Sequence, residues 1–539
     1  MPVLDLLIED ATVLTVNSER PVARRVGVWN GQVVGVDEEL AGLSARRTVR
    51  LDGATVVPGF VDAHTHLAWA GTSLGMLDLA GVHDRGEVLA ALGRAASAAA
   101  RDDWVEVAGY DQRVIGGHLD RRELDAVAAG RKLLLQHASG HACVVNTVVL
   151  DLLPAGELAA LGEDVDRDES GRPTGLLLER AQLVVRRARF PHPMGELVDA
   201  IERAGRVCLS QGVTTCAEAG IGAGLIGRPP VEIAAYQEAR DRGRLPVRVQ
   251  LMIAADALHD LGAHPGDSIA RGLDLGLRTG FGDDVLSIGA MKLWLDGGMM
   301  ARTAAVTEPY LGSGGSGQLQ DDPDVLRRTI VDGHRAGWQL AVHAIGDHAL
   351  DLALDSVAEA LAVAPRRDPR HRIEHCGLVR PDQLARLAEL GLTAVIQPEF
   401  LLDNGDDYSD LFGPRRAEWL YRGRAFLDAG VPVASSSDRP VAAGAPLRAL
   451  RFMVERRSAS GRAVGAGEAM TVAEALHAAT LGAARACRRE GVSGSVERGK
   501  LADLVVLDAD PTRTAAAELD GIGVVATIVG GEVRHGALE

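Results

Sequence analysis

Cysteine is scarce in this chain. The five present, Cys143, Cys208, Cys216, Cys376 and Cys487, are odd in number, scattered, and never spaced as CxxC. That distribution argues against a disulfide framework and against a cysteine zinc site, and it fits a reducing compartment. No uninterrupted apolar run approaches the length of a bilayer span, so no membrane partner is expected. The opening MPVLDLLIEDATVLTV carries Asp5, Glu9 and Asp10 and no basic segment, unlike a secretory leader. A cytoplasmic protein is the expectation. Basic charge is also short. Lys and Arg number 57 against 74 Asp and Glu, a formal net charge of -17, with no basic run to offset it. Such a chain would repel a phosphate backbone, which disfavours a nucleic-acid partner. Aromatic residues make up only 3% of an Ala-, Gly-, Arg- and Asp-rich composition, a bias that carries no functional reading.

What is present is enough apolar material for a large core: 47% hydrophobic against 24% charged residues, which disfavours disorder. At 539 residues, more than one structural unit is expected. The N-terminal segment reads as short strands broken at Asn30-Gly31 and Asp52-Gly53, both turn dipeptides. The C-terminal segment repeats the style in ADLVVLDAD and VVATIVGGEVRHG. Residues 1–58 and 485–539 are therefore read as one small β-sandwich built from both ends; two unrelated β extensions are the alternative.

Between them, apolar strands alternate with helical stretches, the pattern of a parallel α/β fold. The strand candidates are 59–64, 212–220, 247–254, 289–297, 339–347, 371–376, 393–399 and 431–438. Eight is the number a TIM-type (β/α)8 barrel needs, assigned here to residues 59–484. The span 67–209 is too long for one crossover and reads as a large inserted subdomain, which makes the barrel a distorted one.

Chemistry in such barrels sits at the C-terminal strand ends. Here those ends carry His64 and His66, Lys292, His343, His375 and Asp438. Residues two apart in a strand point to one side, so the HTH pair would aim two imidazoles at one point. Imidazole suits zinc, iron, cobalt or nickel. His343 or His375 alone would read as a structural histidine; at successive strand ends after HxH they read as ligands. A buried Asp438 needs a cation to neutralise it, and as a proton acceptor it is the natural general base. A buried Lys292 tends to lose its proton, and the neutral amine can add carbon dioxide to form a bridging carbamate. The alternative is a plain lysine paired with Asp296 or with substrate. These parts make up a hydrolase with one or two divalent ions, zinc first, with iron or manganese as alternatives. Asp438 would take a proton from the attacking water and return it to the leaving nitrogen.

At this point the residues resemble a known group. VVPGFVDAHTHL, SGHACVVN, GRPTGLLLE, GVTTCAEAG, MKLWLDGG, VHAIGD, RIEHC, VIQPEF, SSSDRPV and GSVERGKLADLVVLDADP, in that order and nearly end to end, are similar to the amidohydrolase superfamily. The likeness is to its family 3 branch of N-substituted formamide deformylase-like metal-dependent hydrolases. The resemblance implies the same fold and the same six ligand positions. It also implies substrate contacts from His141, or else a histidine binding backbone carbonyls, and from Arg302, or else an arginine that orders its loop. It implies a homodimer or higher oligomer acting on a small molecule. Cleavage of a non-peptide C–N bond, as in an N-substituted formamide, is the expected activity. A cyclic amide or N-acyl amino acid is the alternative substrate, and a non-catalytic scaffold on the same fold the alternative class. One departure stands out: DGGMMARTA puts Met299 and Met300 where the family carries a serine and a further glycine, which makes that loop more apolar.

Overall fold

The structure, a computed structural model, describes residues 3–190, 192–222, 229–264, 269, 271–312 and 314–538. All eight expected barrel strands form, in one parallel sheet. They are β1 (Phe60–Thr65), β2 (Val213–Ile221), β3 (Arg248–Ala254), β4 (Leu286–Trp294), β5 (Leu340–Ala344), β6 (Arg372–His375), β7 (Thr393–Ile396) and β8 (Val433–Ser435). Each pairs with its successor in chain order. These strands read as apolar runs rather than alternating ones because both faces are covered. Outward residues meet helices; inward ones, such as Val61, Ala63, Ala217, Ala219, Ala341 and Ala434, pack into a narrow interior of small side chains. Among the helices outside the sheet are α1 (Leu67–Ser73), α2 (Met194–Ser210), α3 (Glu232–Asp241), α4 (Pro323–Arg335), α5 (Asp347–Val363), α6 (Pro381–Glu389) and α7 (Pro398–Ala417).

The cylinder meets itself between β8 and β1. Just past the end of β8, Asp438 N–H donates to His64 O (2.7 Å), and His66 N–H donates to Arg439 O (2.8 Å). The Asp62 carboxylate spans the same seam, accepting from Ser437 N–H at 3.0 Å and from the Ser437 hydroxyl. These contacts fix the heights of the first and last strand ends relative to each other, and both ends carry chemistry.

Strands from both termini share a second, six-stranded sheet, in which Leu504–Leu507 pairs antiparallel with Thr55–Pro58. It packs on the four-stranded sheet containing Leu4–Glu9 through Ile8, Val28, Val56, Val506 and Ile528, completing the sandwich. Its turns use backbone with positive φ at Asn30 (49°) and Gly31 (74°), as the Asn-Gly pair predicts. A third sheet, again six-stranded, runs from Leu77–Asp78 to Pro173–Leu178 and has its own apolar core around Leu92, Val107 and Leu133. It lies between β1 and β2 in the chain. Among the described residues no helix is long and apolar enough to cross a membrane.

Candidate active site

The strand ends converge as the alternation of side chains requires. His64 is in the last turn of β1 and His66 caps α1 just beyond it. The Nε2 atoms of both approach one carboxylate oxygen, Asp438 Oδ1, at 3.3 and 3.1 Å. His64, His375 and Asp438 each offer a ligand atom within 4.8 Å of the other two. The His343 ring is 4.4 Å from that of His375, centroid to centroid. Lys292, fully buried inside β4, places Nζ 3.3 Å from His64 Nε2. His64, His375 and Asp438 therefore share one small volume at the barrel mouth, and His66, Lys292 and His343 each lie beside one of them.

A cation fits this volume. Asp438 Oδ1 is buried with no hydrogen bond of acceptable geometry, although two imidazole nitrogens lie within 3.3 Å. His343 Nδ1 is also buried without a partner. Leaving such atoms unmet costs about 1–3 kcal/mol each. The other ring nitrogens are already committed. His64 Nδ1 lies 2.5 Å from Glu374 Oε2, His375 Nδ1 lies 2.7 Å from Gln397 Oε1, and His343 Nε2 lies 3.2 Å from Gly297 O. Each contact occupies one ring nitrogen and leaves the other as a candidate ligand atom. The His64 and His375 imidazoles and the Asp438 carboxylate, brought within 4.8 Å of one another, form a donor set for a borderline-soft divalent ion, with the unpartnered His343 Nδ1 nearby.

Electrostatics support the same arrangement. Burial would raise the Asp438 pKa, but His64 and His66 outweigh it and hold the carboxyl well below its usual range. Glu374 behaves alike: burial is overcome by the Arg372 guanidinium and by His64. Burial, with His343 adding to it, pushes His375 well below the ordinary imidazole value. His343 is also lowered by burial, against the opposing pull of Asp296. For His66, burial loses to Asp438 and Glu218, and its pKa rises. Lys292 falls to about 8 through burial, against the opposing pull of Glu374 and Asp438, which brings the neutral amine closer to reach than for an exposed lysine.

Asp296 is not the partner of Lys292. Its carboxylate accepts from the backbone N–H groups of Ala305 (2.9 Å), Ile345 (3.0 Å) and Gly346 (2.8 Å), and one oxygen lies 3.3 Å from His343 Nε2. His141 reaches the mouth from the inserted segment, its ring 6.0 Å from that of His343. Its Nδ1 lies 2.9 Å from Glu179 Oε2, a carboxylate also held by Gln320 Nε2 (2.9 Å) and Thr303 Oγ1. The two consecutive glycines in DGG make room for this assembly. A Cβ at Gly297 would sit 2.2 Å from Thr303 Oγ1, and one at Gly298 would sit 2.8 Å from His141 Cδ2. Arg302 is exposed, with φ at +59°, and does not join the buried group. Glu218 accepts from Leu67 N–H (2.6 Å) and Tyr236 Oη and stands 3.7 Å from His66 Nδ1.

Glu374, Gln397 and Glu179 were missed by sequence reasoning. A usable signal existed for the first. Arg372 and Glu374 sit two apart in an otherwise apolar strand, which directs both into the barrel, where their charges can only meet each other and a neighbouring strand end.

A parallel eight-stranded barrel with histidines and an aspartate at its C-terminal mouth defines a class of metal-site proteins on one fold. Within that class the chain belongs to the Amidohydrolase family, whose family model matches residues 47–535. It is 30% identical over 550 residues to the N-substituted formamide deformylase of Arthrobacter pascens, covering 98% of each chain. It is 30% identical over 544 residues to Protein LONG AFTER FAR-RED 3 of Arabidopsis thaliana, covering 98% of this chain and 91% of that protein. Among solved structures, an uncharacterized metal-dependent hydrolase from Pyrococcus horikoshii OT3 superposes with a TM-score of 0.74 at 26% identity, covering 95% of this chain and 99% of that one.

Proposed function

We propose that the protein is a metal-dependent hydrolase that cleaves a non-peptide C–N bond of a small molecule, with an N-substituted formamide as the first substrate to test. The observation that carries this reading is the unpartnered Asp438 Oδ1, buried between the Nε2 atoms of His64 and His66. His64, His66, His343, His375 and Asp438 would hold one or two divalent ions, zinc first, with Lys292 as an N-carboxylated bridge. A divalent ion there supplies Lewis acidity, which polarises a carbonyl and makes water more acidic. The chain's own residues supply the rest. Asp438 accepts the proton of the attacking water at Oδ1 and returns it to the departing nitrogen. Glu374 and Gln397 hold the His64 and His375 rings by the contacts described above. His141, oriented by Glu179, faces the substrate from the inserted segment, and the apolar Trp69 beside His66 limits water at the mouth. The substrate assignment leans on the deformylase relative; the intact donor set favours an enzyme over a scaffold.

The test is a hydrolysis screen over formamides, hydantoins, lactams and N-acyl amino acids with zinc, iron or manganese supplied, run beside Asp438→Asn. Wild type is expected to turn over at least one formamide. The variant is expected to keep bound metal while losing about 10²-fold or more in kcat, the scale of a lost acid–base group. Wild-type-like turnover by Asp438→Asn removes the assignment. Activity on a cyclic amide or an N-acyl amino acid, with none on formamides, replaces the substrate.

A further inference from the structure

Arg439 is a buried guanidinium, 4% exposed, directly after Asp438. A guanidinium stays protonated, and an anionic partner stabilises a buried charge. None of the described carboxylates forms an ion pair with it. Asp62 and Glu399 act on it only from beyond contact distance. Its hydrogen-bond acceptors include neutral oxygens: Gln211 Oε1, Ala443 O (2.8 Å) and Gly444 O (2.9 Å). Nε is buried without a partner, and Nη1 lies 2.9 Å from Cys208 Sγ, on the last turns of α2. Cys216, on β2, brings its own Sγ to 3.8 Å from that sulfur.

We propose that Cys208 and Cys216 form a peroxide-reactive dithiol site, in which the Cys208 thiolate balances the charge of Arg439 and Cys216 resolves its oxidised form into a disulfide. A thiolate beside a guanidinium is the reactive form of cysteine. Consistent with that, the Cys216 thiol and the Arg439 charge together lower the Cys208 pKa against the effect of burial, whereas Cys216 is raised. Both sulfurs are fully buried, but Val207, next to Cys208 in the chain, and Arg439, its hydrogen-bond partner, line a cavity of about 860 Å³ that also touches Trp69 and Met300, so a small oxidant would reach the thiolate by way of that wall.

The chemistry balances in two steps. Cys208 thiolate attacks one oxygen of a hydroperoxide; the O–O bond breaks, an S–O bond forms, and the departing oxygen takes a proton. The Cys216 sulfur then attacks the sulfenic sulfur of Cys208; the S–O bond breaks, and the hydroxide leaves as water with the Cys216 proton. In sum, the Cys208 thiolate, the Cys216 thiol, one hydroperoxide and one proton from solvent give a disulfide, one water and, from the rest of the hydroperoxide, an alcohol or a second water. The disulfide is neutral, so oxidation strips Arg439 of its counter-charge. Arg439 O accepts the His66 N–H at 2.8 Å and its backbone continues into Asp438, so the loosened segment is the one that holds the metal-facing carboxylate.

The experiment treats the full-length, metal-loaded protein with hydrogen peroxide, then denatures it, alkylates free thiols and maps them by mass spectrometry. This readout does not depend on the substrate assignment. Two of the five thiols are expected to be protected, joined in a Cys208–Cys216 peptide and released by dithiothreitol. In Cys216→Ala the cross-link is expected to be absent and a sulfenic acid trapped at Cys208 by dimedone. Chelator-driven metal release from the oxidised wild type should be severalfold faster than from the reduced protein. Full alkylation of all five thiols after peroxide, or first oxidation at Cys143, Cys376 or Cys487, overturns the site. A disulfide that leaves metal release unchanged overturns its coupling to Asp438.

Discussion

Glu374 does two jobs with one carboxylate: it cancels the charge of Arg372 inside the barrel and accepts the Nδ1 proton of His64. Replacing it with Gln keeps the shape but leaves Arg372 buried without its anion and weakens the hold on the ring. Glu374→Gln is expected to lower metal affinity by roughly 10–100-fold, the scale for partners that orient ligand rings. Competition with a chromophoric chelator measures it, and unchanged affinity would mean that His64 is not a ligand. Lys292→Ala should lose one metal equivalent, partly restored by acetate or propionate standing in for the carbamate. Elemental analysis decides this, and unchanged metal content would leave Lys292 a plain buried lysine. The strand-end residues were legible in the sequence because each is a polar side chain stranded at the end of an apolar run, where only a binding role makes sense of it. Their supports were not. Glu374 meets a histidine 310 positions away, and Glu179 gains its meaning only from His141 and Thr303. Contacts of that kind leave no periodic trace.

At the scale of elements, the site depends on close approaches that only small residues permit. Helix α1 follows the HTH pair directly and crosses α2 so tightly that a Cβ on Gly71 would stand 1.9 Å from Ala200 O, a backbone atom that cannot step aside. Gly71→Ala is therefore expected to destabilise the protein by about 1–3 kcal/mol. Because α1 begins at His66, it is also expected to weaken metal binding. Denaturant titration of the metal-free and metal-loaded protein checks both; a stability change under ~0.5 kcal/mol would show that the helices part easily. The elements themselves were readable from hydrophobic runs and turn dipeptides, and all eight barrel strands lie where those runs predict. The β1–β8 seam was not readable, since Asp62 and Ser437 look like ordinary polar residues until closure sets them side by side.

Across the whole molecule, the end of the barrel away from the mouth carries a second histidine arrangement with the opposite meaning. Leu340 N–H donates to His371 Nδ1 (3.0 Å), His371 Nε2 donates to His334 Nδ1 (2.7 Å), and His334 Nε2 donates to Ala364 O (2.7 Å). Every ring nitrogen is used and both rings are neutral. Burial, followed by the neighbouring His334 and Arg366, holds His371 well below the ordinary value, and burial takes His137 in the inserted sheet down to about 3. A base whose pKa is depressed on folding binds fewer protons folded than unfolded. Stability is therefore full above pH about 6.5 and falls as pH drops below it. At pH about 5 each of these two residues removes up to about 2 kcal/mol. His141, raised against burial by Glu179, and His66, raised by Asp438 and Glu218, work the other way. The melting temperature of the metal-free protein is expected to drop between pH 8 and pH 5. A flat profile would mean these rings take up protons without cost.

One cation is expected to join chain segments as distant as His64 and Asp438. The most direct measurement is an anomalous difference map from crystals of the metal-loaded protein, collected on both sides of the absorption edge of the bound metal. A peak is expected at the barrel mouth within coordination distance of His64, His66, His375 and Asp438. Protein that carries stoichiometric metal elsewhere, with no peak between those side chains, would contradict it.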